Sequence, residues 1–345
     1  MNKEISDRIK IIGFLMTCVI AAYHCGTPKD PINAFDMKWN TFIGYTFESV
    51  AALAMSYFFM VTGFLLFYDL SFKNYFEKIR KRLYSLLLPY LLWQIIIMLK
   101  IVIMGGQGWT LRMFLERTFL MQSWPPDGAL WYLYAVFVLA LISPIFIIIF
   151  KNKSIGLLSV MVLMIAVYRL NLLSDSMVVA FRSYGYIGNV LYYFPSYIIG
   201  AYYGIHTNEA SNDKELKYIL AILFMAMFIE GLYSGFFYDV TKKVMPVLLL
   251  YLFPIIPCLK ERKIYRLSFL IYAVHHPITS DILVFLRKII RIITPYACIS
   301  NVITRIICLG VDFVIAGIVY AILEKFAPKI LSILTGGRAF RSSTD

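Results

Sequence analysis

The chain has 345 residues, 60% hydrophobic and only 15% charged, with a formal net charge of +13 and a mean hydropathy of +0.74. A soluble domain holds about 25% charged residues, so a disordered chain, a disulfide scaffold and an ordinary soluble enzyme are poor readings. The basic surplus does not point to nucleic acid either, because the Lys and Arg residues sit mostly between apolar runs, as juxtamembrane charges do.

Taken in order, the apolar runs predict an all-α polytopic integral membrane protein of about ten spans: 9–25, 45–68, 84–104, 131–150, 154–170, 187–205, 218–238, 244–258, 266–285 and 303–323. The first run follows Arg8 and Lys10 as a signal peptide would, but it has no clear small-residue cleavage site and reads as a retained helix. The eighth carries Pro246 and Pro254, which a span tolerates only where neighbours or water satisfy the freed carbonyls. No repeat period is visible, and no Gly-, Pro- or Ser-rich linker marks a boundary. One membrane-embedded domain over residues 1–345 is therefore expected.

Basic residues set the expected orientation. With the N-terminus inside, the inner segments hold Lys3, Arg8 and Lys10, the run Lys73 to Arg82, the run Lys260 to Arg266, and the C-terminal Lys325, Lys329, Arg338 and Arg341. They outnumber the basic residues of the outer segments, which places both termini in the cytoplasm of a cell membrane. Arg287, Lys288 and Arg291 are the exception. They share one helical face, which suits a segment lying along the surface. Cys18, Cys25, Cys258, Cys298 and Cys308 form no CxxC pair, so neither a metal site nor a disulfide framework is indicated.

Ionisable groups inside spans cost about 2.5–3.5 kcal/mol each on insertion scales and are functional candidates. They are His24, Glu48, Lys100, Glu230, His275, His276, Asp281 and Asp312. The bland alternative for each is a polar group satisfied within the bundle. His24 closes the first span, and an imidazole titrating near neutrality can take a proton from a hydroxyl and return it.

Four segments give that histidine a context. They are SYFFMVTGFLLFYDL (56–70), SFKNYFEKIRKRLYSLLLPYLLW (71–93), GALWYLYAVFVLALISP (128–144) and LSFLIYAVHHPI (267–278). In this order, after a first helix ending in His24, they resemble the acyltransferase-3 family of integral membrane acyltransferases. The resemblance implies an O-acyltransferase, most simply an O-acetyltransferase. Its donor would be a cytoplasmic acyl-CoA such as acetyl-CoA, a co-substrate with no bound cofactor. Its acceptor would be a hydroxyl of a carbohydrate or glycolipid, such as a cell-surface polysaccharide or its lipid-linked precursor. The family's first helix commonly reads Arg, ten residues, His. His24 matches the histidine, while Gly13 stands at the arginine position and Ser56 where relatives often carry an acid or amide.

The expected roles follow. His24 is the general base and His275 orients it or stabilises developing charge. Lys78, Arg80, Lys81 and Arg82 hold the donor phosphates, and Trp131 and Tyr132 meet the acceptor. Along a helix rising 1.5 Å per residue, the first span places His24 near the outer interface, and His275 falls roughly 14 Å deep in the ninth. A donor on one side and a base on the other then require a passage through the bundle. The rival reading is a transporter for a saccharide or lipid-linked sugar, suited by the buried acids Glu230 and Asp312.

Overall fold

The computed structural model describes residues 1–26, 30–105, 110–120, 123–172, 186–207, 235–255, 259, 262–277 and 279–338. Among these residues every regular element is helical. Helix α1 (Lys3–His24) starts where the Asn2 side chain accepts from the Glu4 amide, and α2 (Ala34–Phe67) where Asn33 does the same for Asp36. The chain turns at Asp69, which has a positive φ of 55°. Asn74 ties this turn down by donating to the Asp69 carbonyl and accepting from the Ser71 amide. Helix α3 (Tyr75–Arg82), a π-helical turn over Leu83–Leu87 and α4 (Leu88–Ile103) then run on as one rod.

Helix α5 (Leu111–Phe119) is short, and a 3₁₀ turn over Gly128–Leu130 leads into α6 (Trp131–Leu141). Helix α7 (Ser143–Phe150) follows after a bend of 57° at Ile142, beside Pro144. Next come α8 (Lys153–Leu172), α9 (Ile187–Ile205) and α10 (Gly235–Leu252). After a 3₁₀ turn over Lys263–Leu267 the chain continues as α11 (Ser268–Val274), α12 (Thr279–Ile293), α13 (Ala297–Phe326) and α14 (Pro328–Leu334).

Fewer helices than expected meet the demands of a bilayer by length and apolarity. Among the described residues three do so: Ala34–Phe67, Tyr75–Ile103 and Ala297–Phe326. The bent pair Gly128–Leu141 and Ser143–Phe150 makes a fourth. The sequence had suggested ten. Helix α1 spends its first turns on Lys3, Glu4, Asp7, Arg8 and Lys10, α9 is rich in Tyr and Gly, and α10 carries Asp239, Lys242 and Lys243. The expected span 266–285 is not one helix. It breaks at His275–Pro277, between α11 and α12, because Pro277 lacks an N–H and disfavours helical geometry at His276. The expected span 218–238 lies almost wholly outside the described residues, and Glu230 with it.

The core is organised around α2. It crosses α9 at the closest range the backbone allows: a Cβ on Gly63 would strike the Tyr197 carbonyl, one on Gly200 that of Met60, and one on Gly204 that of Phe64. Gly200 and Gly204 are four apart, the small-residue spacing that lets helices touch in an apolar medium, where dispersion rather than water expulsion drives packing.

Helix α13 ties together one end of the bundle. The Asp36 carboxylate, from the first turn of α2, accepts from the amides of Ala297 (2.8 Å) and Cys298 (2.9 Å), capping α13 from another helix. Asn301 donates to Asn40 at 2.9 Å. One turn further on, Arg305 donates to the carbonyls of Ala22 and Tyr23 at the C-terminus of α1, both at 2.7 Å. Thr279, opening α12, donates to Asp312. The end of α1 and the starts of α2 and α12 are thus held by a single helix.

Candidate active site

A cavity of about 450 Å³ opens inside the bundle, within the roughly 300–1,000 Å³ usual for ligand sites. Its mouth is basic, with Lys78, Lys81 and Arg82 from α3 and Arg338 from beyond α14. Its walls are mainly apolar, including Met55, Phe58 and Leu65 of α2, Leu86 of the π turn and Phe269 of α11. Thr17, Thr62, Tyr132 and Tyr272 add hydroxyls. Tyr132 donates to the Phe58 carbonyl at 2.8 Å, so the Thr62 hydroxyl, which also bonds Tyr132, serves as donor to the phenol oxygen. This pair fixes α6 against α2 in the wall. Tyr272 is fixed by donating to the Ala129 carbonyl.

Tyr272 links the cavity to the histidines. Its ring stacks on His275 with centroids 5.7 Å apart, and its carbonyl lies 2.7 Å from His275 Nδ1. A carbonyl only accepts, so Nδ1 carries a proton, and in the neutral ring Nε2 keeps its lone pair. His275 is 1% exposed, and its Nε2 has no hydrogen-bond partner among the described residues. The ring centroid of His24 is 5.1 Å from that of His275 and 5.5 Å from that of His276. His24 and His276 are exposed and His275 lies buried among them. Three imidazoles thus meet where α1 ends and where Pro277 breaks the chain.

The histidine cluster is braced on two sides. Arg305 grips the last carbonyls of α1, bonds Asn301 at 2.8 Å and lies over the Phe47 ring at 4.2 Å. A cation at a helix C-terminus also complements the helix dipole. Lys100 of α4 pairs with Asp281 at 2.5 Å and donates to the Pro277 carbonyl, so it holds the strand of chain just after His276. Lys100 is partly buried and Asp281 exposed, so the pair sits at the rim of the bundle.

His24 and His275 therefore come together, as does His276. Lys78, Lys81, Arg82 and Tyr132 line the cavity, with qualifications of chemistry. Lys78 Nζ caps α2 by donating to the Leu66 and Tyr68 carbonyls, and Lys81 pairs with Glu77 at 2.6 Å. Arg80 does not line the cavity and is exposed, because a helix turns neighbouring side chains about 100° apart. Trp131 likewise points away from Tyr132. It is buried against Phe59, Trp124, Tyr186 and Tyr193 rather than in the cavity wall. Sequence reasoning missed Tyr272, Arg305 and Arg338 as site residues. Only Arg338 carried a local signal, the Gly336–Gly337 pair before it.

The four segments 56–70, 71–93, 128–144 and 267–278 thus supply most of the cavity lining and two of the three clustered histidines, His275 and His276. A family model for the acyltransferase-3 domain, described as an acyltransferase domain, matches residues 13–322. The chain belongs to the acyltransferase-3 family. No curated protein and no solved structure matches it. The protein is therefore a membrane acyltransferase, an enzyme transferring groups other than amino-acyl groups. The reading as a transporter gives way to that of an enzyme. An acyltransferase needs a place for the donor, a place for the acceptor and a group that moves the hydroxyl proton between them.

Proposed function

We propose that this acyltransferase moves an acyl group, most simply acetyl, from acyl-CoA to a hydroxyl of a cell-surface polysaccharide or lipid-linked glycan. One observation carries the reading: a single cavity is lined both by cations and by Tyr272, whose ring stacks on His275 beside His24. Phosphates would rest against Lys78, Lys81 and Arg82 through charge-assisted contacts. A slender pantetheine arm suits the apolar walls, and its thioester would lie toward Tyr132 and Tyr272. The acceptor would approach the exposed faces of His24 and His276, with Trp131 backing its path through the aromatic cluster rather than touching it.

In this scheme the acceptor oxygen attacks the thioester carbonyl. The hydroxyl proton goes to His24, the C–S bond breaks, and His24 returns the proton to the departing CoA sulfur. His275, with Nδ1–H committed to Tyr272, offers the Nε2 lone pair to the charge that forms on His24. The basic mouth and both termini would face the cytoplasm, and the histidine end would face outward.

The test uses the purified full chain in proteoliposomes with radiolabelled acetyl-CoA and a membrane extract containing the lipid-linked glycan. Label passing to the glycan, and lost in His24→Gln, is the expected result. Label that stays with the donor, or passes equally well in His24→Gln, would overturn it. A reporter fused after Lys81 should read cytoplasmic, and one in the 26–44 segment external.

A further inference from the structure

The donor reading above assigns the phosphates to α3. The cavity mouth, however, has a second wall, which comes from chain beyond the matched residues 13–322. After α13 the chain doubles back as α14 and ends it in an ordered cap. The Gly336 amide donates to the Ile333 carbonyl and the Gly337 amide to that of Ser332, at 3.1 and 2.8 Å. Both glycines have positive φ, 59° and 78°. That is the hydrogen-bond pattern of a Schellman turn, with a left-handed residue where glycine is favoured.

The turn is locked into the bundle. Leu331 and Thr335 are fully buried and Leu334 nearly so. The Trp93 indole donates to the Leu334 carbonyl at 3.2 Å. A Cβ on Gly336 would strike the Ser85 carbonyl, and Ser85 itself lines the cavity. Only glycine lets the tail approach the π turn this closely. The residue delivered by this construction is Arg338. Its guanidinium donates to the Thr335 carbonyl at 3.0 Å and lies over the Phe269 ring at 4.9 Å. Both Arg338 and Phe269 line the same cavity as Arg82 and Lys81.

We propose that the tail 328–338 is part of the donor site. Arg338 binds the phosphorylated, nucleotide end of the donor together with the α3 cations, so that the anion is held by two separate elements of the chain. The proposal rests on the acyl-CoA reading and deepens it. A planar guanidinium held by a carbonyl and a ring is oriented before the anion arrives, which favours forked recognition of phosphate oxygens. A place in the donor site also explains why the tail is anchored by buried Leu, Thr and Trp contacts rather than left loose.

The experiment measures binding of two donor-derived probes to the full chain in nanodiscs, acetyl-CoA and adenosine 3′,5′-bisphosphate. It also measures transfer from S-acetylpantetheine, which has no nucleotide. Arg338→Gln should weaken both nucleotide-bearing probes about tenfold or more and flatten their salt dependence. Transfer from S-acetylpantetheine should be unchanged. Arg338→Lys keeps the charge without the fork and should fall between Gln and the parent. An Arg338→Gln protein that binds acetyl-CoA as well as the parent overturns the tail's role and leaves the α3 site standing. Loss of S-acetylpantetheine transfer as well overturns it too, since the arginine would then be structural. A parent protein that binds neither nucleotide probe sinks the acyl-CoA reading itself.

Discussion

The basic mouth of the cavity and the histidine cluster behind Tyr272 are built on opposite principles. At the mouth, Lys81 is 72% exposed on its side chain and paired with Glu77 only across one helical turn, and charge can be redistributed among several neighbours. At the histidine end, Arg305 is 6% exposed, Asp36 and Asp312 are buried, and each is bonded to a backbone amide, a carbonyl or a hydroxyl of another helix. Exposed cations supply an attractive field that tolerates movement. Buried clamps fix positions to fractions of an ångström, because a buried polar group without its partner costs about 1–3 kcal/mol. A donor's phosphates need the first and proton transfer needs the second. Losses at the histidine end should therefore be steep and local in kcat, and losses at the mouth graded and visible in KM.

His24 tests the steep side. A general base typically contributes about 10²- to 10⁴-fold in rate, so His24→Ala should lower acyl transfer by at least about a hundredfold. Binding of acetyl-CoA at the far end should stay unchanged. His24→Gln keeps hydrogen bonding but cannot cycle a proton near neutral pH, and should be almost as inactive. His275→Gln should show a similar kcat loss, with the folded yield as control because the ring is buried. A Gln variant of His24 that keeps most activity would move the base to His275, whose buried Nε2 has no partner among the described residues.

Arg305 comes next in size, because it acts through the end of α1 rather than on the reacting atoms. Arg305→Met retains bulk but leaves the Ala22 and Tyr23 carbonyls without their cation. Thermal unfolding should show a loss of about 1–3 kcal/mol, and kcat should fall by one to two decades with donor KM unchanged. Arg305→Lys should recover stability better than activity, because an ammonium cannot reproduce the fork that also reaches Asn301. Equal kcat in Met and parent would make Arg305 a packing residue and erase the contrast between the two ends.

How far the sequence revealed this design depended on whether the signal was local. Helical class and the apolar rods α2, α3–α4 and α13 were legible, because composition and run length carry them directly. The position of His24 at the end of an apolar run was legible as well, whereas its place beside His275 and His276 was not. The break at His275–Pro277 was marked by Pro277 but was outweighed by the apolar residues on either side. Arg305 carries no local signal because its partners, Ala22 and Tyr23, are 283 and 282 residues away. Trp131 and Tyr132 looked equivalent in sequence, yet adjacent positions on a helix face different ways, and only Tyr132 reaches the cavity.

On the graded side, Lys81→Gln with Arg82→Gln removes two cations from the mouth and leaves the helix intact. Donor KM should rise several-fold, the more so at low ionic strength, where surface charges are least screened. The kcat at saturating donor should hold within about twofold, since neither residue approaches the histidines. Insertion has to be verified by the reporter after residue 81, because the same residues favour the cytoplasmic side. A kcat loss equal to that of His24→Ala would mean that the two ends do not divide the work.

The smallest effect separates charge in general from charge in place. Arg80 belongs to the same basic run as Lys81 and Arg82, and sequence alone gives no reason to treat it differently. On the helix it is exposed and absent from the cavity lining. If the mouth works by placed contacts, Arg80→Gln should change donor KM by less than about twofold and leave kcat untouched, because an exposed charge separated from the ligand by water is screened over roughly 8–10 Å. If the run works only as a diffuse positive field, Arg80→Gln should raise KM as much as Arg82→Gln does. Measuring the two single variants side by side at two salt concentrations decides between these. An Arg80 effect matching that of Arg82 would reduce the basic mouth from a binding site to an electrostatic collar.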